Sequence, residues 1–274
     1  MLLQQEALTD ELDKILKKTA RSVAKQAKQA LGLLSKADVP GNNGVTDTPI
    51  GEVAAESTGT TAVEISTFWE ELSLSTMDAI ASTVPAFLSS VMQDSAKYVI
   101  LQLGLDDKIT GVVNKDSLEY AKDRAAEMIG KAWKDGQLVD NPRAEWVITD
   151  TTRDEIRLLV EKVMRGEMNA TDLPDAIKKA GAFSRARAAM IARTELMAAN
   201  AQGSLASFFA AQDAGVKVKK VWMTDNEACD ICVINQKKGP IKLEAKFPDG
   251  SLAPPAHPNC ECVLVPEIER NEGD

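Results

Sequence analysis

The sequence predicts an α+β protein that is predominantly α-helical, with a helical body and a small C-terminal β-hairpin module that carries a cysteine and histidine cluster. Apolar residues recur at three- and four-residue spacing through most of the first 213 residues, which is the period of amphipathic helices. After Gly215 the period changes to that of a strand, and all four cysteines and the single histidine follow. With 274 residues, the chain is long enough for one large or two small domains.

The composition limits the class of protein. The net charge of −9 argues against a protein that coats nucleic acid over its whole surface, but it leaves room for a local basic patch. No apolar segment follows a basic N-terminal region, and no run approaches the roughly 18–20 apolar residues of a membrane span. We therefore expect a soluble protein that is made in the cytoplasm.

Residues 1–36 are predicted to form an amphipathic, basic N-terminal helix that acts as an arm. Apolar residues at helical spacing define one side, and no acidic residue occurs between Lys14 and Lys36. The simplest interpretation is a solvated face beside an apolar packing stripe. The alternative is a contact with nucleic acid, an acidic partner surface or an anionic membrane. The basic face consists of Lys14, Lys18, Arg21, Lys25 and Lys28.

Residues 37–62 are rich in glycine and proline and poor in large apolar side chains, so we predict a flexible linker or extended arm. The N-terminal helix would then be tethered to the body and not built into it. A helical domain follows at 63–182, where Pro85 is expected to divide one apolar run into two helices. A further helix is predicted over 115–134.

Two shorter helices are predicted before residue 182. The first covers 151–165, and Thr152 followed three residues later by Glu155 forms a capping box at its start. The second covers 173–180.

The longest predicted helix, 185–213, begins the C-terminal segment 183–266. Arg193 and Asn200 share a face of this helix, whereas Glu195 lies about 200° away. We therefore predict structural roles for these three residues, in hydrogen bonds or ion pairs on two sides of the helix. Another face carries mostly small residues, which let a second helix approach closely. This face consists of Ala192, Leu196, Ala199, Gly203, Ala206 and Ala210.

The strands of the module are predicted from alternating apolar residues. One strand runs through VKVKKVWMT at 216–224, and a turn at 237–240 followed by IKLEAKF indicates a hairpin. A last short strand is predicted at 262–265, before an acidic tail at 267–274.

The cysteine and histidine cluster has the spacing of a metal site. Cys229 and Cys232 form a C-x-x-C pair, the commonest half-site of a tetrahedral metal. His257, Cys260 and Cys262 offer three more donors where two are needed, so a structural zinc site would use four of the five residues. His257 with one of Cys260 and Cys262 is as plausible as both cysteines together.

Other uses of these side chains stay open. The cysteines could form disulfides or remain free buried thiols. A thioredoxin-type redox site is disfavoured because no strand-to-helix context is predicted around the C-x-x-C pair. Catalysis would need His257 as the base of a cysteine nucleophile, or a zinc ion with an open position and Asp225 or Glu261 as a base. The spacing shows neither, and we predict a non-enzymatic protein.

In the order and spacing of its motifs, the stretch from about 150 to 266 resembles the phage minor head proteins of the Mu protein F type, also called the SPP1 head morphogenesis family. The shared motifs are the helix core IARTE at 191–195, Trp222 at a strand end, Asp225, Cys229-x-x-Cys232, the Gly-Pro-Ile turn at 239–241, Phe247 before Gly250, and PPAHPNCEC at 254–262. Glu261 departs from the family pattern, which usually has an arginine between the last two cysteines. The missing positive charge argues against phosphate binding at this position.

The resemblance implies a low-copy structural component of a tailed-phage head. Such proteins are packaged into the procapsid, associate with the portal protein, and are implicated in head assembly and in genome packaging or ejection. We accordingly expect a virion protein inside the head near the portal, in several copies around the ring, with possible contacts to capsid or scaffold protein. The basic arm could touch DNA, or a membrane during ejection.

Two other classes of function are kept as alternatives. The first is a metal-dependent hydrolase or toxin-like enzyme, because effector domains are sometimes fused to this family. The second is a DNA-binding module, for which a steep salt dependence of DNA affinity would be diagnostic.

Overall fold

The computed structural model describes residues 2–37, 54–105, 110–145, 147–164, 167–169, 172–225 and 227–268. The helices are α1 (Leu2–Ala37), α2 (Ala54–Gln102), α3 (Thr110–Met128), α4 (Ile148–Met164), α5 (Leu173–Lys179), α6 (Arg185–Asp213) and α7 (Asp230–Lys237). The strands are β1 (Lys131–Lys134), β2 (Gln137–Asp140), β3 (Val218–Met223) and β4 (Val263–Ile268). The predicted fold class is confirmed. Among the described residues, no helix combines the length and apolar character that a membrane span needs.

The chain forms two compact units. One comprises residues 1–12, 80–146 and 185–274, and the other comprises 13–79 and 147–184. The division between the units falls within α1, after residue 12, and within α2, after residue 79. The predicted domain boundaries instead separated 1–36, 37–62 and 63–182. Helix α2 begins inside the stretch predicted as a linker, and residues 38–53 of that stretch lie outside the described residues.

Helix α1 is a packed element over its described side chains and not the tethered arm that the sequence predicts. Its apolar stripe is buried, with Leu8, Leu12 and Leu16 each at most 1% exposed. The Thr19 hydroxyl also makes a buried hydrogen bond of 2.8 Å to the Thr76 hydroxyl. The simpler of the two interpretations, an apolar packing stripe beside a solvated face, describes this helix.

Two local predictions in the helical part are wrong. Pro85 lies inside α2 and does not divide it into two helices. The capping box fails because α4 begins at Ile148, so Thr152 is within the helix and its hydroxyl donates to the Ile148 carbonyl at 2.8 Å. Glu155 instead accepts the N–H groups of residues 181 and 182, the start of a short 3₁₀ turn that precedes α6.

The predicted helix over 115–134 ends early, because its last residues form a hairpin. Strands β1 and β2 pair antiparallel around Asp135 and Gly136, both of which have positive φ angles, 51° and 75°. An Asp-Gly pair suits a two-residue hairpin turn because both of its positions need positive φ. The two-residue turn therefore overrides the helical spacing of residues 131–134.

Helix α6 and the strands around it build the core of the first unit. Helix α6 has the predicted bounds, and it approaches α2 closely: the Ser95 hydroxyl donates to the Asn200 carbonyl at 2.9 Å, and the Ser207 hydroxyl donates to the Ala96 carbonyl at 3.2 Å. A Cβ atom on Gly203 would overlap the Met92 carbonyl oxygen. The predicted small-residue face therefore serves a close helix contact.

The sheet of the C-terminal module pairs β3 with β4 in antiparallel register, including Trp222 with Leu264 and Lys220 with Pro266. The predicted hairpin, in which IKLEAKF pairs with β3 as a full strand, is wrong because the strand that pairs along β3 is β4. Within the described residues, that segment contributes one bridge, in which Lys220 and Ile241 exchange both backbone hydrogen bonds at 2.9 and 3.0 Å. The predicted turn at 237–240 is present, but it follows α7, a helix that the sequence did not predict. β4 reaches Ile268, and residues 269–274 of the predicted tail lie outside the described residues.

Candidate metal centre

The C-x-x-C half of the centre lies where a loop from β3 enters α7. Cys229 is the residue before the helix and has an extended backbone, and its carbonyl accepts the N–H of Val233 at 3.0 Å. Cys232 follows in the first turn and is buried, whereas Cys229 is exposed. A strand-to-helix context therefore surrounds the pair, and the stated ground for disfavouring a redox site does not hold. All four cysteines are free thiols.

The second half is a tight turn directly before β4. The N–H of Cys260 donates to the carbonyl of His257 at 3.2 Å, which closes the turn. Asn259 has a φ of 65°, a left-handed conformation that asparagine tolerates better than most residues. This turn brings His257 and Cys260 back toward the C-x-x-C pair.

The donor atoms of all five predicted residues meet around Cys232. The Nε2 atom of His257 lies 3.2 Å from the Cys229 sulfur and 3.5 Å from the Cys232 sulfur. The sulfurs of Cys232 and Cys260 are 3.7 Å apart. Two groups of three donors, each within 4.8 Å, share Cys232: one adds Cys229 and His257, and the other adds Cys260 and Cys262.

Two of these separations match the edges of a tetrahedral zinc site. With Zn–S bonds of about 2.3 Å and Zn–N bonds of about 2.0–2.1 Å, neighbouring donors lie about 3.6 Å apart for sulfur and nitrogen and about 3.8 Å apart for two sulfurs. The His257 to Cys232 distance and the Cys232 to Cys260 distance agree with these values. The separation between His257 and Cys229 is shorter, at 3.2 Å, and no four of these five donors all lie within 4.8 Å of one another, so four ligands would have to close in around an ion. The donor types themselves suit a zinc-sized cation.

The histidine is oriented for ligation by its second ring nitrogen. Nδ1 lies 2.9 Å from the Pro258 carbonyl oxygen, which can only accept, so Nδ1 carries the proton. Nε2 then has a free lone pair, and it is the atom that faces Cys229 and Cys232. Fixing the tautomer through the other nitrogen is the usual arrangement of a metal-binding histidine.

The thiols differ in their readiness to ionise. Hydrogen bonding to the backbone N–H of Cys232 lowers the pKa of Cys229, with a smaller contribution from His257. Burial raises the pKa of Cys232 and raises that of Cys262 to about 11. Without a cation the Cys232 and Cys262 thiols therefore stay protonated, and a metal that binds a thiol as thiolate would release its proton.

Helix α6 holds the histidine-bearing turn. Arg193 donates to the Asn259 side-chain oxygen at 3.2 Å and pairs with Glu261 at 2.6 Å. The Thr194 hydroxyl accepts the N–H of Asn259 at 2.8 Å. The family usually has an arginine at the position of Glu261. In this chain Arg193 supplies a positive charge beside that position. Thr194 and Asn259 were not singled out from the sequence, because their contact joins residues far apart in the chain.

Glu195 faces away from the metal centre and belongs to a buried ion pair. Its two carboxylate oxygens accept from Arg124 Nε and Nη2 at 2.7 and 2.8 Å, and Arg124 also binds Glu127 at 2.6 Å. Arg124 could not be found from the sequence, since nothing in the spacing of α3 and α6 marks the two as partners. Asn200 accepts from Ser95 through its backbone and does not reach the cluster.

The remaining predicted residues lie beneath and beside the centre. Trp222 is fully buried and packs edge-on against Phe247, with ring centroids 5.0 Å apart. Asp225 and Glu261 line a cavity of about 290 Å³ together with the five donors. Glu261 is already paired with Arg193, and Asp225 accepts the N–H of Glu227 at 3.2 Å, so neither carboxylate is held toward a metal as a base.

A buried lysine lies in the same core and was not singled out from the sequence. Lys220 is fully buried, donates from Nζ to the Leu252 carbonyl at 2.7 Å, and sits 5.4 Å from the centre of the Phe247 ring. Burial lowers its pKa to about 8, against a smaller opposing effect of Glu244.

The fold and this centre define a mostly helical protein whose C-terminal module is organised around clustered cysteine and histidine donors. Residues 154–265 match the family described as phage Mu protein F like protein. The match confirms the predicted resemblance and covers nearly the same stretch. It indicates a phage head-related protein and a component of the virion. No curated protein and no solved structure matches the chain.

Proposed function

We propose that this protein is a minor structural component of a tailed-phage head that associates with the portal and takes part in head morphogenesis and in genome packaging or ejection. The observation that carries the proposal is the family match at 154–265, which spans α6, β3, α7 and the cysteine and histidine centre. The centre has a structural role in this proposal, with zinc holding the module together.

The side chains of the IARTE segment bond to other residues of the same chain, which supports a structural protein over an enzyme. Arg193, Thr194 and Glu195 are each bonded to other residues of the chain, on two sides of α6. Groups that serve catalysis have to be available to a substrate. Thr194 and Glu195 are buried, and Arg193, although it lines the cavity, is engaged by Asn259 and Glu261. Their contacts fix the module on its longest helix.

Portal association can be tested by producing the full-length protein together with the portal protein of the same phage. We expect both proteins to sediment together, with several copies of this chain on each portal ring by native mass spectrometry. The major capsid protein serves as the control. Separate sedimentation from the portal, or binding to the capsid protein alone, would contradict the association, and absence from purified virions would contradict the head role itself.

A second proposal is that α1 contacts DNA through its basic face. Lys14, Lys18, Arg21 and Lys25 are exposed, and at about 100° per residue they fall within about 60° of one another. Leu12, Leu16 and Val23 on the opposite side are buried, which fixes the orientation of the basic face. The side chain of Lys28 lies outside those described. The result is a ridge of positive charge about 17 Å long on an acidic protein.

Replacing Lys18, Arg21 and Lys25 by glutamine is expected to weaken binding to duplex DNA at low salt. Each lost phosphate contact removes about 0.9 from the slope of log affinity against log salt, so the slope should fall by about 2.7. Fluorescence anisotropy over a salt series measures both quantities.

The matched control replaces Lys162, Lys178 and Lys179 by glutamine. These lysines are also exposed, and the change in net charge is the same. Equal losses in the two triple variants would mean that net charge, and not the α1 ridge, governs binding. No binding by the unaltered protein at low salt would also contradict the proposal.

A further inference from the structure

We propose that Cys229, Cys232, His257 and Cys260 together hold one zinc ion, and that Cys262 stays outside the coordination sphere. The inference rests on the structural zinc proposed above and settles which four of the five donors take part. It also predicts the chemistry of the site: three thiolates and one imidazole, with Cys262 as a neighbouring thiol.

Cys229, Cys232 and His257 form the first part of the ligand set. The His257 Nε2 atom is within 3.5 Å of both sulfurs, and the hydrogen bond from Nδ1 to Pro258 leaves its lone pair available. In a site of four cysteines, the lone pair of Nε2 would face two thiolates without binding the metal. The fourth ligand therefore has to come from the other group of donors, Cys260 or Cys262.

Cys260 is the better placed of the two remaining cysteines. Its sulfur lies 3.7 Å from that of Cys232, close to the edge of a zinc tetrahedron. It also shares the closed turn with His257, so both ligands are carried by one short segment, as Cys229 and Cys232 are on the other side. Asn259, between these ligands, is the residue that Arg193 and Thr194 hold from α6.

Cys262 is positioned as part of the apolar core. It directly precedes β4 and, since side chains alternate along a strand, it faces the same side as the buried Leu264. The buried indole of Trp222 interacts with the Cys262 thiol, although its N–H makes no hydrogen bond of normal geometry. Cys262 thus packs with Trp222 and Leu264 beneath the centre, and it meets the proposed ligands at Cys232 and Cys260.

Zinc-edge X-ray absorption on the purified, zinc-loaded full-length protein tests the ligand set without any substitution. We expect three sulfur atoms at about 2.3 Å and one nitrogen at about 2.0–2.1 Å for one zinc per chain. Four sulfurs would put Cys262 in the place of His257 and overturn the inference. Two sulfurs with nitrogen and oxygen atoms, or no bound zinc, would overturn it as well.

Two alanine variants form a matched pair, because Cys260 and Cys262 are 2% and 3% exposed and lie two positions apart. Cys260→Ala should weaken zinc binding more than about 100-fold, beyond the 10–100-fold effect typical of residues around the ligands. Cys262→Ala should keep one zinc with affinity within about tenfold of the unaltered protein. The reverse order of effects would overturn the assignment. If an alanine variant fails to fold, the serine variants replace it: Cys260→Ser should lower the zinc-edge sulfur count from three to two, whereas Cys262→Ser should leave it at three. None of these outcomes bears on portal binding, which the sedimentation experiment tests separately.

Discussion

Replacing Glu195 by leucine is expected to lower the free energy of unfolding by about 3 kcal/mol, because it leaves the buried guanidinium of Arg124 without its bidentate partner. Breaking a buried ion pair by removing one partner typically costs about 3–5 kcal/mol. We expect the lower end of this range, since Arg124 keeps its contact with Glu127, which is partly exposed. Urea unfolding of the full-length variant measures the change.

Two further variants separate the cost of a buried, unpaired charge from other effects of the substitution. The double variant Arg124→Leu with Glu195→Leu leaves no buried charge, so it should be more stable than Glu195→Leu alone. Asp175→Asn removes an ion pair with Lys178 that lies at the surface, and should lower the stability far less than Glu195→Leu does. A double variant as unstable as the single one would show that burial of an unpaired charge is not the cause.

Gly203→Val is expected to destabilise the first unit by about 3 kcal/mol or more, and Gly203→Ala by less. A side chain at this position meets backbone atoms of Met92, which cannot rotate away, so α2 and α6 would have to separate. At a solvent-exposed helix position, replacing glycine by alanine would instead stabilise the protein by about 1 kcal/mol.

The control for this pair is Gln202→Ala at the neighbouring, half-buried position. It should change stability by less than about 0.5 kcal/mol. Thermal unfolding followed by circular dichroism gives all three values. A stabilised Gly203→Ala would mean that the approach of the two helices is looser than the structure shows.

The sequence is sufficient to predict α6 because every local signal agrees there. Ser184 precedes it, Gly215 with a φ of 91° follows it, and its small-residue face needs a close neighbour. The end of α3 could have been predicted as well, from the Asp-Gly pair at 135–136, but the helical spacing of the preceding residues outweighed that signal. Pro85 was misjudged because a proline costs one backbone hydrogen bond, which a long and well packed helix can lose.

The pairing of β3 was beyond local reasoning. The segment after the turn at 237–240 is close in sequence and has strand-like composition, whereas β4 is separated from β3 by α7 and the cysteine and histidine cluster. Strand partners are chosen by tertiary packing, which a single sequence does not show. The five cysteine and histidine residues could be identified because they lie close together in the sequence at characteristic spacing. The contacts of Arg193 and Thr194 with the histidine-bearing turn depend on tertiary packing and could not be predicted in this way.

Pro266 has a consequence for how copies of this protein behave when they are crowded together. Lys220 directs its backbone N–H and carbonyl toward Ile241, so its pairing with Pro266 uses neither, and the backbone of Pro266 faces away from β3. Within the described residues no strand covers that side of β4. A proline there removes the N–H that an incoming strand would need and costs the existing sheet nothing. Neighbouring molecules are thereby prevented from joining their sheets into a continuous, aggregation-prone ribbon at this edge.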